Sequence, residues 1–232
     1  MTNVRPLEWD SNFFGLKVGR VDISASEDSI SLASQKQVLK DQYDLIYVFG
    51  SQELFFEEAD ANLIDNKVVF ALAELSGFNY HESVIDWPVE NGLTDDVLLL
   101  ALESGKYSRF KLDGKLPVGS YERLYTRWIE QSVNHSIASD VFCYMIEGKP
   151  RGLVTIDLND GVGTIGLVAI HPDFQHQGIG TSILRHIIRF AHDKRCEKLY
   201  VATQLDNEPA CHLYKKCGMV IDSITKVWHW WM

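Results

Sequence analysis

The chain is poor in cysteine, proline and positive charge. Its 232 residues hold four cysteines and six prolines, and Asp plus Glu outnumber Lys plus Arg by 32 to 22, a formal net charge of −10. Cys143, Cys196, Cys211 and Cys217 form no C-x-x-C pair, and no Cys and His pairs fall at zinc-finger spacing. Neither a disulfide framework nor a metal site is therefore expected, and the bland reading of the four is buried free thiols. The acidic balance repels nucleic-acid phosphates and anionic lipid headgroups, although a local basic patch could still hold one anionic ligand. No apolar run approaches the roughly 20 residues that a spanning helix needs, and the opening Met1 to Pro6 lacks the apolar core of a secretory signal. A cytoplasmic protein with no nucleic-acid or membrane partner is expected.

What the sequence does hold is a folded α/β pattern: 46% apolar and 23% charged residues exclude a disordered chain. The apolar run Leu45 to Phe49, a helix-length stretch from Glu53 to Ile64 and a second run from Val68 to Ala73 read as strand, helix and strand. After a possible strand from His81 to Trp87, Pro88 and Gly92 mark a junction. Residues 1–92 are thus expected to form a small α/β domain, and residues 93–232 a second, larger one. Thr94 suits the N-cap of a helix carrying Val97, Leu98, Ala101 and Leu102. In the next helix, from about Gly119 to Val133, Tyr121, Leu124, Tyr125, Trp128 and Ile129 share one face, which either packs into the core or lines a ligand site. Strands follow from Val141 to Ile146, Leu153 to Leu158 and Thr164 to Ile170, with turns at Gly148 to Pro150 and at Asp160-Gly161. An Asp-Gly step between strand-like runs is a strong hairpin signal, so a meander is expected. Helix Gly178 to His192 and strand Leu199 to Thr203 complete the pattern.

The segment from Ile165 to Gly180 reads as a strand, a turn closed by Pro172, a glycine-bearing loop and the start of an amphipathic helix. Gly178 and Gly180 let main chain approach a diphosphate closely, and the helix N-terminus presents unpaired N–H groups with a partial positive charge. A lone Gly-x-Gly is weak, because such pairs occur in many loops.

Gln175-x-x-Gly178-x-Gly180, after a strand ending in His171-Pro172, resembles the [Gln/Arg]-x-x-Gly-x-[Gly/Ala] signature of the GNAT acetyltransferases. A second element of that family follows in order: Val201 to Asn207, then a helix holding Tyr214, then Gly218. The resemblance implies a mostly antiparallel, splayed sheet flanked by helices, with acetyl-CoA as donor and no metal. Main chain of Leu167, Val168, Ala169 and Ile170 would pair with the pantetheine amides. Gln175 belongs to the signature, and the N–H groups of Gln177, Gly178, Ile179, Gly180 and Thr181 would hold the pyrophosphate. Asn207 would bond the pantetheine arm, although it also suits an N-cap ahead of Pro209. Tyr214 would act as general acid toward the departing thiolate; without the resemblance it reads as a core tyrosine. His171 belongs to the strand-ending turn in that family. The base that neutralises the acceptor amine is not fixed by the sequence, a water chain ending on a carboxylate being one route.

Leu7 to Gly15, Ser108-Arg109-Phe110, and Tyr125-x-x-Trp128-Ile-Glu130 are similar to enterobacterial members of the family that acetylate the 4-amino group of a dTDP-4-amino-4,6-dideoxyhexose for surface polysaccharide. A nucleotide sugar needs a cation for its diphosphate and aromatic faces for thymine and sugar. Lys106 to Arg127 carries both kinds, and Ser108, Arg109, Tyr121 and Tyr125 are the candidate acceptor residues. Two rival readings are a GNAT acting on a protein or peptide amine and a non-catalytic acyl-CoA sensor. A homodimer through the tryptophan-rich C-terminal strand is set against burial of Trp228, Trp230 and Trp231 in the core.

Overall fold

Short apolar runs separated by left-handed turns assemble into one mixed sheet in the computed structural model, which describes residues 3–232. The elements are β1 (Arg5–Pro6), α1 (Glu8–Phe14), β2 (Val18–Ile23), α2 (Ser26–Ser34), α3 (Lys36–Leu39), β3 (Leu45–Ser51), β4 (Ala61–Leu72) and β5 (Val84–Asp86). They continue with α4 (Asp95–Ser104), α5 (Arg109–Leu112), α6 (Ser120–Val133), β6 (Asp140–Ile146), β7 (Lys149–Asn159) and β8 (Val162–Ile170). Then come α7 (Ile179–Asp193), β9 (Lys198–Gln204), α8 (Glu208–Lys216) and β10 (Val220–Trp231). The sheet order is β1-β2-β3-β10-β4-β9-β8-β7-β6-β5. Only β2–β3 and β8–β9 are parallel among the described pairs.

Local chemistry explains several boundaries. Asp160 and Gly161 take φ of +47° and +77°, the paired left-handed conformations of a two-residue hairpin between β7 and β8. Glu147 and Gly148, at +51° and +74°, make the same turn between β6 and β7, so that turn lies just ahead of the Gly148 to Pro150 step expected for it. The Thr94 side chain accepts the Val97 N–H at 3.4 Å and caps α4 as expected.

Alternation along the strands sends side chains to opposite faces. On β3, Tyr47 and Phe49 pack with Leu124 and Tyr125 of α6, whereas Ile46 and Val48 pack with Leu32 of α2 and with Trp228 and Trp230 of β10. Below β4, β7 and β9, Ile183, Leu184, Ile187 and Ile188 of α7 meet Val68, Phe70, Val154 and Val201. Leu100 and Ala101 of α4 and Ile129 of α6 cover Val141, Cys143 and Leu153 from the other side.

One expectation changes, and the sheet bears on two others. The stretch from Glu53 to Ile64 is no helix: its first part is a loop that drops Leu54 and Phe56 beside Trp228 and Trp230, and β4 begins at Ala61. A ladder from Ala61 to Ala71 against β10 outweighs the local helical pattern there. The junction near residue 92 does lie between β5 and α4, yet the sheet runs across it, because β5 pairs with β6, β4 with β9, and β10 with β3. Finally, β10 is paired along both edges from Thr225 to Trp230, Trp228 and Trp230 are buried, and Trp231 packs partly buried against the α6 face. No edge is free where Trp228 and Trp230 lie, so the core reading of these tryptophans holds and a second copy cannot add a strand along that stretch.

Because β10 joins both parts in one ladder, calorimetry is expected to show a single cooperative transition; two separable ones would establish independent domains. Trp230→Ala is expected to destabilise the whole chain by about 3–5 kcal/mol in chemical denaturation.

Candidate active site

The site begins with a fault in the sheet. β8 and β9 pair from Val162 and Lys198 to Ile165 and Val201, and the pairing stops there. On its other edge β8 pairs Val168 with Val154 and Ile165 with Ile156, so Thr155 faces two residues, Gly166 and Leu167. An extra residue of this kind bends a strand and increases its twist. The Thr155 hydroxyl accepts the Leu167 N–H at 2.9 Å and secures the bulge. A Cβ at position 166 would lie 2.7 Å from that oxygen, which explains the glycine.

A cleft of about 460 Å³ opens where the strands part, between Gly166–Ile170 on β8 and Ala202–Gln204 on β9. One end reaches the start of α7. Gly178, at φ +84°, caps that helix without a side-chain acceptor, and the N–H groups of Ile179, Gly180 and Thr181 find no acceptor among the described residues. They form an anion cradle at the positive end of a 15-residue helix. A Cβ on Gly180 would stand 2.9 Å from Leu213 Cδ2 and 3.3 Å from Ile170 Cδ1, so glycine lets α7 start hard against α8 and β8. Lys216, His176 and His212 also line this cleft, while Lys106 does so paired with Glu103; Lys216 is the lining cation that favours an anionic occupant. These features fit the diphosphate and amide-bearing arm of a coenzyme A ester.

Most residues expected to hold the donor meet here. Leu167, Val168, Ala169, Ile170, Gln175, Gly178, Ile179, Gly180, Thr181, Asn207 and Tyr214 all line the cleft. Gln177 does not: its side-chain amide donates to the Asp173 carbonyl at 3.4 Å. Gln175 works as a brace, its amide donating to the Ile170 carbonyl and to Glu103, each at 3.2 Å. Asn207 caps α8 by accepting the Ala210 N–H at 3.3 Å while donating to Thr203 Oγ1 at 3.2 Å. The His171 ring accepts the Asp173 N–H at 3.3 Å and belongs to the turn. Tyr214 packs its ring on Phe70, centroids 5.5 Å apart, and its hydroxyl has no hydrogen-bond partner among the described residues. Burial pushes its pKa above the usual tyrosine value.

At the other end stand Tyr107 and Tyr125. A Cβ on Gly105 would lie 2.2 Å from the Tyr125 ring, so the end of α4 leaves that ring its place. Of the other acceptor candidates, Tyr121 donates to the Leu102 carbonyl and its ring meets Tyr125 at a tilt of 45°, centroids 4.9 Å apart. Tyr121, Ser108 and Arg109 do not line the cleft themselves. Ser108 is buried at the start of α5, and the Arg109 guanidinium sits 4.6 Å from the ring centres of both Tyr47 and Phe110.

Sequence reasoning missed what surrounds Arg109. Asp65 of β4 is 6% exposed and interacts with Arg109, Gln204 and Lys67. Tyr47 Oη, Asp65 Oδ1, Ser108 Oγ and Arg109 Nε are all buried without a hydrogen-bond partner. Folded proteins rarely leave so many buried polar atoms unpaired in one place. Burial pushes the Asp65 carboxyl up to about 6 against the opposing pull of Arg109, and burial holds Arg109 and Lys67 below their usual values. Asp65 went unnoticed because it lies just past the stretch read as a helix, ahead of the strand expected from Val68. Gln204 sits inside the Val201 to Asn207 element and was within reach.

Residues 108–219 match the acetyltransferase (GNAT) family. Along nearly the whole chain the protein is similar to the dTDP-fucosamine acetyltransferase of Escherichia coli O6:H1, 26% identical over 97% of this chain and 96% of that one. The spore coat polysaccharide biosynthesis protein SpsD of Bacillus subtilis is 24% identical over 62% of this chain and 50% of its own length. A GCN5-related N-acetyltransferase from Sphaerobacter thermophilus shares the fold, with a TM-score of 0.59 at 12% identity over 90% of this chain and 72% of that one. Among the described residues no helix is long and apolar enough to cross a membrane.

Two outcomes follow from the geometry. Gly180→Val crowds Leu213 and Ile170 and is expected to weaken coenzyme A binding at least tenfold by calorimetry. Asp65 has a folded pKa near 6, above the ordinary 3.8. A raised carboxyl pKa adds stability below the unfolded value, and that stability is lost as pH rises through the folded value, a difference of roughly 3 kcal/mol. Asn imitates the protonated form, so Asp65→Asn is expected to melt roughly 5–10 °C above the wild type at pH 8 and level with it near pH 4.

Proposed function

We propose, from the match of residues 108–219 to the acetyltransferase (GNAT) family, that the chain moves the acetyl group of acetyl-CoA onto the amino group of a dTDP-amino-dideoxyhexose. The 4-amino group of a 4,6-dideoxy sugar is the acceptor, the product serves surface polysaccharide synthesis, and the work is done in the cytoplasm. The observation that carries this reading is the cleft at the strand fault, which has an anion cradle at one end and tyrosines backed by buried polar groups at the other. The E. coli and B. subtilis relatives, named for a dTDP-sugar and for a polysaccharide, support a sugar acceptor.

Acetyl-CoA, when bound, supplies a thioester carbonyl open to attack by an amine. The first-turn N–H groups of α7 hold the diphosphate, and the main chain of Leu167 to Ile170, freed from β9, offers the pantetheine arm the hydrogen bonds a neighbouring strand would have made. Asn207, fixed by its cap and by Thr203, offers the arm a further polar contact. Tyr214 gives its proton to the departing sulfur. From ordinary values of about 10 for tyrosine and about 8.5 for a thiol, that transfer is uphill by about 2 kcal/mol. Burial raises Tyr214, but the same apolar walls raise the sulfur they enclose, so the gap does not widen by the full shift.

At the acceptor end Tyr107 and Tyr125 offer ring faces to sugar and base, Tyr121 steadies Tyr125, and Ser108 and Arg109 supply polar groups beneath them.

Tyr214→Phe is expected to lower turnover by about 10 to 100 fold with acetyl-CoA affinity nearly unchanged, since removing a general acid costs about that or more. Wild-type turnover in this variant would reassign the acid. A thiol-release screen over purified amino-sugar nucleotides is expected to give its highest kcat/KM with a dTDP-4-amino sugar. Labelled acetate appearing on protein in place of nucleotide sugar would establish the peptide-amine alternative.

A further inference from the structure

Resting on the acetyl-transfer reading above, we propose that Asp65, steadied by Arg109, is the carboxylate that seats the acceptor amino group and takes the proton it loses. The placement comes from the ladder. β4 pairs with β9 from Leu72 and Leu199 as far as Lys67 and Gln204, where β9 ends. Asp65 lies two residues beyond that last pair, on the side where β9 has already parted from β8. Gln204 lines the cleft and interacts with the Asp65 carboxylate, so Asp65, which is not itself a lining residue, stands directly behind that wall.

Asp65 is nine-tenths buried and its Oδ1 has no partner. A buried carboxylate with one oxygen unpaired is costly to keep unless something that binds there uses it. Its surroundings explain why it is no simple ion pair. Arg109 acts on it through space, yet the two form no ion pair within 4 Å, and Arg109 Nε is itself unpaired among the described residues. Tyr125, which interacts with both Asp65 and Arg109, lines the cleft. A cationic acceptor entering past Tyr125 would meet a carboxylate whose negative charge the chain has not neutralised by direct contact.

The balance of the step is simple. The amine nitrogen forms its bond to the acetyl carbon as the carbon–sulfur bond breaks. The ammonium first gives one proton to Asp65, which passes it to solvent. The neutral nitrogen gives up its second proton by the same route as the amide forms, while the sulfur takes a proton from Tyr214 and Tyr214 recovers one from solvent, so one proton is released per turnover. Arg109 is a positioning residue here: its charge favours the ionised form of Asp65, and its ring-stacked guanidinium fixes where that charge lies.

Groups facing Asp65 and Arg109 set the pH behaviour. Arg109 comes from α5, Lys67 from β4, Asp206 from the turn after β9, Tyr47 from β3, Tyr125 from α6, Asp10 from α1 and Arg20 from β2. Burial dominates among them and leaves Asp65 titrating near pH 6, within the range where a proton acceptor works at neutral pH.

The test compares wild type, Asp65→Asn and Asp65→Glu, with acetyl-CoA and a dTDP-4-amino-4,6-dideoxyhexose, by thiol release from pH 5.5 to 9. Asp65→Asn is expected to lower kcat/KM for the amine at least 100-fold at pH 7, to erase the acid limb near pH 6, and to leave acetyl-CoA affinity within twofold. Asp65→Glu is expected to restore part of the rate with its acid limb. Wild-type kcat/KM and the same acid limb in Asp65→Asn would overturn the assignment while leaving the acetyl-transfer reading intact. So would a lower melting temperature in that variant at pH 8, which would mark the carboxylate as structural. If the wild type released no thiol with any amino-sugar nucleotide, the acetyl-transfer reading itself would fall, and this inference with it.

Discussion

Parallel pairing between β8 and β9 ends at Ile165 and Val201, and almost every feature of the site follows from that ending. An ordinary sheet would spend the main-chain groups of Leu167 to Ile170 on a neighbouring strand. Here the residue added opposite Thr155 turns β8 aside, and the Thr155 hydroxyl satisfies the one amide that the bulge would leave stranded. The cost of an interrupted ladder is thus confined to a cleft that an amide-bearing ligand can fill. Gly166 and Gly180 serve the same end, one allowing the bulge and the other allowing α7 to begin beside it.

Donor and acceptor ends draw on different parts of the chain. The anion cradle, Asn207 and Tyr214 all come from residues 166–214, one β-α-β-α run whose helices pack against a single core. Beneath the acceptor end lie Tyr47 of β3 and Asp65 of β4, carried there because β10 threads between those two strands. The N-terminal strands are therefore no appendage to the donor site. They complete the sheet and bring polar groups beneath the tyrosines of the cleft, so under the proposed function donor binding and acceptor choice would rest on different segments.

How much could be read beforehand differs sharply between the two ends. That Gly178, Gly180, Asn207 and Tyr214 would meet at one cleft was legible because each lies within a few residues of a helix start or on one helix face, where short-range geometry fixes direction. The hairpin at Asp160-Gly161 and the cap at Thr94 were legible for the same local reason. Tyr121 and Gln177 were placed in the right region, but their side chains turn to the Leu102 and Asp173 carbonyls, a choice made by neighbours that the pattern does not specify. Asp65 was invisible because the segment leading to it carries a helical pattern, and only its ladder with β10 makes it a strand.

The sequence by itself determined the elements whose signals are local: the glycine loop and helix that form an anion cradle, the paired turns of the meander, and the tyrosine on the last helix. Tertiary structure decided what depends on strand pairing across long separations. It set β10 between β3 and β4, buried the tryptophans that an isolated strand would have exposed, and carried Asp65 and Arg109 together. Hydrogen-bonded register between segments more than a hundred residues apart is fixed by the whole sheet's packing, and no window of sequence contains it.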